Sequence, residues 1–341
     1  MSDFIPIMVA ATLISFIATP ISKHLAERLG FFDNPHARKV HLSPVPLLGG
    51  VAIYAGMVSA VAISARRAYL LELAGILGGA TLITGIGLVD DRYGMKPLVK
   101  MAGQAAAGLV LVGAGVQVTL FEVQALNIAL TLLWVIGICN AINFMDNMDG
   151  LAAGVVTVAA AFFFILASIE GMWLVASLAA ATVGACLGFL YYNFNPASLF
   201  MGDAGSLLLG FVVAVLGIKL RFPDRPLAVT WLIPIVILGL PIFDTTLVVI
   251  SRLRGRRPVY LGGKDHTSHR MVQLFGMGHR MAVVALYAVE AGLGLCALLL
   301  RDAQPDQARL IVAGLMAVGL IALIWLEWRF QPPNRNSKKS I

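Results

Sequence analysis

The chain has 341 residues, of which 59% are hydrophobic and 13% charged, and its formal net charge is +7. A soluble domain carries roughly a quarter charged residues, so this composition excludes a water-soluble globular protein and makes the bilayer the solvent. The basic residues lie in short stretches between apolar runs, which argues against a nucleic-acid surface.

A membrane span needs about 20 mostly apolar residues. Eleven runs are candidates: 4–22, 48–65, 70–89, 98–115, 126–144, 150–168, 172–192, 205–220, 228–250, 281–300 and 308–328. The run 98–115 carries Lys100 and Gln104, and 205–220 is short, so ten spans is the alternative count. The first run has no basic residue before it and leads into "ISKHLAERLG" without a small-residue cleavage site, so it reads as a span and not as a signal peptide. Cys139, Cys186 and Cys296 fall inside predicted spans and read as small buried apolar residues, not as disulfide or metal partners. The expected fold is therefore an all-α polytopic membrane protein, one integral-membrane domain over 1–328 with a short tail at 329–341.

Orientation follows from Lys and Arg. The stretches 23–47, 90–100, 145–149, 193–204, 251–280 and 329–341 alternate with the opposite set and hold 18 of the 25 Lys and Arg residues. These are the expected cytoplasmic loops, with the N-terminus outside and the C-terminus inside.

The acids gather on that same face. Asp90 and Asp91 close the third run in "GIGLVDDRYGMK", and Asp146 and Asp149 follow the fifth. Asp203 follows the seventh in "NPASLFMGDAGS", Asp244 lies in "LPIFDTT", and Asp265 lies in the loop 251–280. Ionisable groups in or beside a span are costly and point to function by default. Each also has a structural reading. Asp90–Asp91 would suit a solvated loop start, and Asp203 or Ser206 would cap the next helix. Asp244 would pair with Arg252 or Arg254. The stretch 140–149 resists such readings, because Asn140, Asn143, Asp146 and Asp149 recur every three residues at a helix C-terminus. The macrodipole there favours cations, so two carboxylates need a compensating positive charge.

The basic loop 251–280 contains "GGKDHTSHR", with His266, His269 and Arg270, and the first loop contains "NPHARKVHLSPVPLLGG". No HxxxH or HExxH pairing supports zinc. Hard oxygen donors select Mg²⁺ or Mn²⁺ over softer metals, and Mg²⁺ leaves coordination positions to substrate phosphates. Acids, amides and basic side chains at one membrane surface suit a phosphate-bearing soluble substrate meeting a lipid one. An ion-coupled transporter would place its acids near the bilayer midplane, often with inverted repeats, and no repeat is visible.

Five ordered stretches, "ARKVHLSPVPLLGG", "LVDDRYGMKP", "NAINFMDNMDGLAAG", "NFNPASLFMGDAGSLLLG" and "GGKDHTSHR", carry a resemblance to a known family. Across nearly its whole length the chain resembles the polyprenyl-phosphate N-acetylhexosamine-1-phosphate transferases, the superfamily of WecA, TagO and MraY within glycosyltransferase family 4. The resemblance implies Mg²⁺-dependent transfer of a sugar phosphate from a UDP-N-acetyl amino sugar to a polyprenyl phosphate, with release of UMP. It implies that Asp203 and Asn143 hold the metal and that Asp90 and Asp91 lie at the catalytic centre. Asp146 and Asp149 would serve catalysis and nucleotide-sugar binding, and His266, His269 and Arg270 would contact substrate phosphate. Lys39 and His41 fall near the family's basic first-loop residues. The stretch "DHTSHR" has no run of consecutive histidines, and Asn147 stands where a glycine is common. Both favour the WecA/TagO-like branch over the MraY-type muramoyl-pentapeptide reading. The partners implied are the bilayer, a polyprenyl phosphate and a UDP-amino sugar. A homodimer stays open, as do the sugar and the polyprenyl length.

Overall fold

The computed structural model describes residues 2–33, 44–64, 66–222, 225 and 227–330. Among them the chain forms thirteen α-helices and one two-residue antiparallel pair, Phe32–Asp33 with Val45–Pro46. In chain order the helices are α1 (Ile5–Leu29), α2 (Gly49–Ile63), α3 (Leu70–Tyr93), α4 (Pro97–Gly113), α5 (Gln124–Met145), α6 (Leu151–Ile169), α7 (Trp173–Asn193), α8 (Gly202–Lys219), α9 (Leu227–Ile237), α10 (Gly239–Arg254), α11 (Thr267–Phe275), α12 (His279–Asp302) and α13 (Pro305–Arg329).

Each of the eleven predicted runs is helical, but they are not equally long. Among the described residues, eight helices are long and apolar enough to cross a bilayer. The pair α9 and α10, bent by 71°, is either one broken span or a re-entrant loop, so the described residues hold eight or nine candidate spans where eleven or ten were expected. The helices α2 and α4 have 15 and 17 residues. At 1.5 Å per residue they extend about 22 and 25 Å, short of a hydrocarbon core of about 30 Å. The short run 205–220 belongs to an 18-residue helix that passes the same length test. The all-α, multi-pass membrane architecture is as expected. The one predicted run that is not a single rod is 228–250, where Pro234 and then Gly239 interrupt the helix.

Helix ends follow local chemistry. Pro97 and Pro305 occupy first-turn positions of α4 and α13, where a missing N–H costs nothing, and Gln304 and Gln307 close a reciprocal cap on α13. Gly30 ends α1 in the left-handed region at φ 70°. The three cysteines are free thiols, with Cys139 and Cys186 buried and Cys296 half-buried.

The helix α8 forms the axis of the bundle. It packs against α2, α3, α5, α6, α7 and α9, and its sequence is apolar on every side, as a helix enclosed by others must be. The helix α13 is the opposite case, with most of its apolar surface outward as a lipid-facing helix requires. At one end of the bundle the C-termini of α3 and α5 meet the N-termini of α4 and α8. Gly87 makes this junction close, since a methyl there would collide with the backbone of Ala204 on α8. The backbone N–H groups of Gly49 and Gly50 donate to the carbonyls of Phe200 and Met201, so the end of the first loop is tied to the start of α8.

Candidate active site

At that junction three oxygens point at one cation. The Lys100 ammonium, in the first turn of α4, lies 2.7 Å from Asp203 Oδ2, 2.9 Å from Asp90 Oδ2 and 3.1 Å from Asn143 Oδ1. Asn143 Nδ2 donates to Asp203 Oδ1 at 2.6 Å and to Ser206 Oγ at 2.8 Å, which fixes the amide with its oxygen toward the ammonium. Asp90 Oδ1 accepts the N–H of Met95 at 2.6 Å. Asp91 faces the other way and accepts the N–H groups of Asp203 at 2.7 Å and Ala204 at 3.1 Å. A carboxylate there neutralises the free N–H groups at the α8 N-terminus. Gly202, at φ +69°, must be glycine, since a side chain would also strike the Asp91 carboxylate.

Beside this cluster the turn 146–150 joins α5 to α6. Asp149 Oδ2 accepts from Asn195 Nδ2 at 2.9 Å and from the N–H of Ala197 at 3.0 Å, and Arg280 Nε donates to Asn195 Oδ1 at 3.2 Å. Asp149 thus braces the loop after α7. Asp146 lies in the opposite electrostatic situation. Desolvation, then the carboxylates of Asp203, Asp91 and Asp149, push its carboxyl up to about 8. Asn140 donates to Gln104 Oε1 at 2.7 Å and ties α5 to α4, away from the acids.

The histidine stretch closes over the same turn. Ser268 Oγ donates to Asn147 Oδ1 at 2.6 Å, which links α11 to the turn 146–150. His266 pairs through Nδ1 with Asp244 Oδ2 at 2.8 Å, and its ring meets those of Phe144 and His269 edge-on. Burial, then His266, Lys264 and His279, hold the His269 imidazole down at about 4, so it is neutral at pH 7. Asp265 takes Arg252 in a two-point pair at 2.9 and 3.0 Å and Arg257 at 3.2 Å. Burial raises the Asp265 carboxyl, but these guanidiniums outweigh it and hold it below the ordinary carboxylate range.

The structure therefore brings together Asp90, Asp91, Asn143, Asp146, Asp149 and Asp203, and it sets His266 and His269 beside Phe144, with Ser268 between them bonded to the turn 146–150. Arg270 stands apart from them. Its buried guanidinium donates to the carbonyls of Asp265 and Leu326 and to Glu327 Oε2, and it lies over the Phe330 ring. It anchors α11 to α13. Lys39 and His41 lie outside the described residues. The expected pairing of Asp244 with Arg252 or Arg254 is corrected, because Arg252 is engaged by Asp265 and Arg254 by Glu327 at 3.1 Å. Sequence reading missed Lys100, which looked like a flaw in a span. Its signal was position, ten residues after Asp90 at the same helix–loop–helix junction.

Among the described residues no group of three or more His, Cys, Asp and Glu side chains is clustered as a metal set. The donors that do converge, two carboxylates and one amide carbonyl, are hard oxygens already directed at a cation position. They fit a small divalent ion in kind.

Residues 73–221 match the family model described as Glycosyl transferase family 4. Over 304 residues the chain is 36% identical to a probable undecaprenyl-phosphate N-acetylglucosaminyl 1-phosphate transferase of Bacillus subtilis (strain 168), covering 86% of this chain and 84% of that relative. It is 33% identical over 313 residues to a decaprenyl-phosphate N-acetylglucosaminephosphotransferase of Mycobacterium tuberculosis (strain ATCC 25618 / H37Rv), covering 81% and 77%. It is 28% identical over 304 residues to an undecaprenyl-phosphate alpha-N-acetylglucosaminyl 1-phosphate transferase of Escherichia coli (strain K12), covering 84% and 79%.

Proposed function

The chain belongs to glycosyl transferase family 4, and on that premise we propose that it transfers N-acetylglucosamine 1-phosphate from UDP-N-acetylglucosamine to undecaprenyl phosphate. The observation that carries this reading is the convergence of Asp90, Asn143 and Asp203 on one cation position, with Asp146 beside it and the histidine stretch bonded to the adjoining turn 146–150. The names of the relatives supply the sugar and the lipid class. The excess of Lys and Arg on this face supports a cytoplasmic site, and the bacterial relatives support a bacterial inner membrane.

In the reaction an oxygen of the lipid phosphate bonds to the sugar-bearing phosphorus of the nucleotide sugar. The bond from that phosphorus to the bridging oxygen breaks, and UMP leaves with the electron pair. The lipid phosphate has a second pKa near 6 and is mostly dianionic at neutral pH, so the main obstacle is bringing two anions together. Mg²⁺ held by Asp203 and Asn143, with Asp90 alongside and Mn²⁺ as a substitute, would supply Lewis-acid neutralisation of phosphate charge. Lys100 brings a positive charge to the same carboxylates. Asp146, whose carboxyl is pushed up to about 8 by burial and by Asp203, Asp91 and Asp149, would donate a hydrogen bond to a phosphate oxygen where it keeps its proton. His266 and His269 hold the nucleotide-sugar phosphates.

A covalent phospho-aspartate route is less well supported. Both oxygens of Asp91 are taken by backbone N–H groups, both of Asp90 by Met95 and Lys100, and Asp149 Oδ2 by Asn195 and Ala197. These contacts argue against Asp90 or Asp91 as the attacking nucleophile, and we read the reaction as one in-line displacement.

The test is UMP release by the purified protein with undecaprenyl phosphate and a panel of UDP-amino sugars. UMP with UDP-N-acetylglucosamine and loss of turnover in Asp203→Ala are expected. No UMP with any UDP-sugar would reject the transferase reading. UMP with UDP-N-acetylmuramoyl-pentapeptide alone would favour the MraY-type one.

A further inference from the structure

Asp244 has no place in the proposed reaction, yet few side chains in the bundle are as tightly held. It lies on α10, 2% exposed, and both of its oxygens are engaged by the histidine stretch. Oδ2 meets His266 Nδ1 at 2.8 Å, and Oδ1 accepts the N–H of Thr267, the first residue of α11, at 2.6 Å. No arginine or lysine of its own loop shares this carboxylate. Arg252 and Arg257 are bonded to Asp265, and Arg254 to Glu327. A buried carboxylate is stable only when paired, and the partner here is an imidazole.

The contact decides what the imidazole can do. An ionised carboxylate only accepts hydrogen bonds, so Nδ1 must carry a proton. The other nitrogen, Nε2, is then free to face the site. The ring plane is fixed in turn by Phe144, one residue beyond Asn143, and by His269. Nε2 can donate to a phosphate oxygen only when it carries a proton as well, and Asp244 is the carboxylate placed to balance the charge of a ring that donates from both nitrogens.

We propose that Asp244 is a positioning residue that fixes the tautomer and ring plane of His266, so that Nε2 engages the diphosphate of the nucleotide sugar. The proposal rests on the transferase reading for its ligand and on the Asp244–His266 contact for its geometry.

The experiment is a double-mutant cycle in the full-length protein in detergent, with undecaprenyl phosphate and UDP-N-acetylglucosamine. Asp244→Asn should raise KM for the nucleotide sugar about tenfold or more, the effect of losing one charge-assisted hydrogen bond. KM for the lipid should stay within about twofold. In a His266→Gln background the same substitution should raise KM no further. A full additional rise in that background, or equal rises in both KM values, would mean that Asp244 only supports the fold and would overturn the proposal. Should Asp244→Asn not fold, the wild-type protein labelled with [¹⁵N]histidine answers the same question, with His266→Gln for assignment. A protonated Nδ1 on His266 supports the proposal and an unprotonated one overturns it. No UMP from the wild type would remove the diphosphate ligand and the transferase reading together, whereas the tautomer in the ligand-free protein reports on the Asp244 contact alone.

Discussion

Asp91 and Asp203 are 112 residues apart, and the carboxylate of the first accepts the backbone N–H of the second at 2.7 Å. One acid of the site therefore holds the main chain that presents another. A side chain bonded to both N–H groups of Asp203 and Ala204 is occupied by its own protein. Asp91→Asn replaces one of these acceptors with a donor and leaves an N–H facing an NH₂. We expect it to lose about 1–3 kcal/mol of stability and to lower turnover through misplacement of Asp203. Thermal unfolding in detergent beside UMP release checks this. Normal stability with collapsed turnover would mean that Asp91 acts on substrate and does not brace α8.

Lys100 joins Asp90, Asp203 and Asn143 at a single point, which makes it a probe of the metal site. Lys100→Met leaves two carboxylates facing each other without a cation. Removing one partner of a partly buried ion pair typically costs about 3–5 kcal/mol. We expect the variant to unfold at a lower temperature in EDTA and to recover more than the wild type does when Mg²⁺ is added, because the ion then replaces the lost charge. An Mg²⁺-insensitive unfolding temperature in Lys100→Met would put the metal elsewhere. For the wild type, EDTA should abolish UMP release and Mg²⁺ should restore it.

Much of this was legible in the chain, for physical reasons that differ by residue. Apolar run length is a local property, so all eleven runs became helices. The meeting of Asp90, Asn143 and Asp203 followed from placing their helix ends on one face. Helix length was less legible, since apolar flanks extend 48–65 beyond the 15 helical residues of α2. The bend between α9 and α10 left a trace in Pro234 and Gly239, but an unbroken apolar run hides it. Side-chain partners were least legible. The structural reading of Asp244 pairs it with arginines of its own helix, eight and ten residues on. That separation is about 12–15 Å along an α-helix, beyond direct reach, and the true partner His266 came from the far end of the loop. Arg270 could be placed in its motif but not aimed, because its Glu327 and Phe330 partners lie on and just after α13, more than fifty residues later.

His269 should make the protein acid-sensitive. Its folded pKa of about 4 lies below the ordinary 6.5, mainly through burial. Between those values the unfolded chain binds the extra proton, so stability falls as pH drops from about 6.5 to 4. Asp265, whose carboxyl is held below 3.8, contributes its own loss only at lower pH. His269 therefore lowers the unfolding temperature between pH 7 and 4.5 against the opposite contribution of Asp146, so the unfolding temperature of the wild type relative to His269→Gln should fall over that range. An identical slope in the variant would remove His269 as its source.

Asp146 gives the opposite sign. Its folded carboxyl titrates at about 8, against an ordinary 3.8, because desolvation and then Asp203, Asp91 and Asp149 oppose its ionisation. Between these values the folded protein holds the proton that the unfolded chain has lost, so this residue makes stability fall as pH rises from about 4 to 8. Asparagine is a neutral isostere and carries no such penalty. In EDTA, Asp146→Asn should unfold at a higher temperature than the wild type at pH 8.5, and the gap should narrow toward pH 5. The same logic separates two roles in turnover. If Asp146 serves as a neutral hydrogen-bond donor, asparagine preserves a donor and alanine does not, so Asp146→Asn should retain more UMP release than Asp146→Ala at pH 7. If the carboxylate is instead needed as a general base, both variants should lose activity alike, by about a hundredfold or more. Equal loss, with wild-type turnover rising through pH 8, would assign Asp146 to proton removal and overturn the donor role.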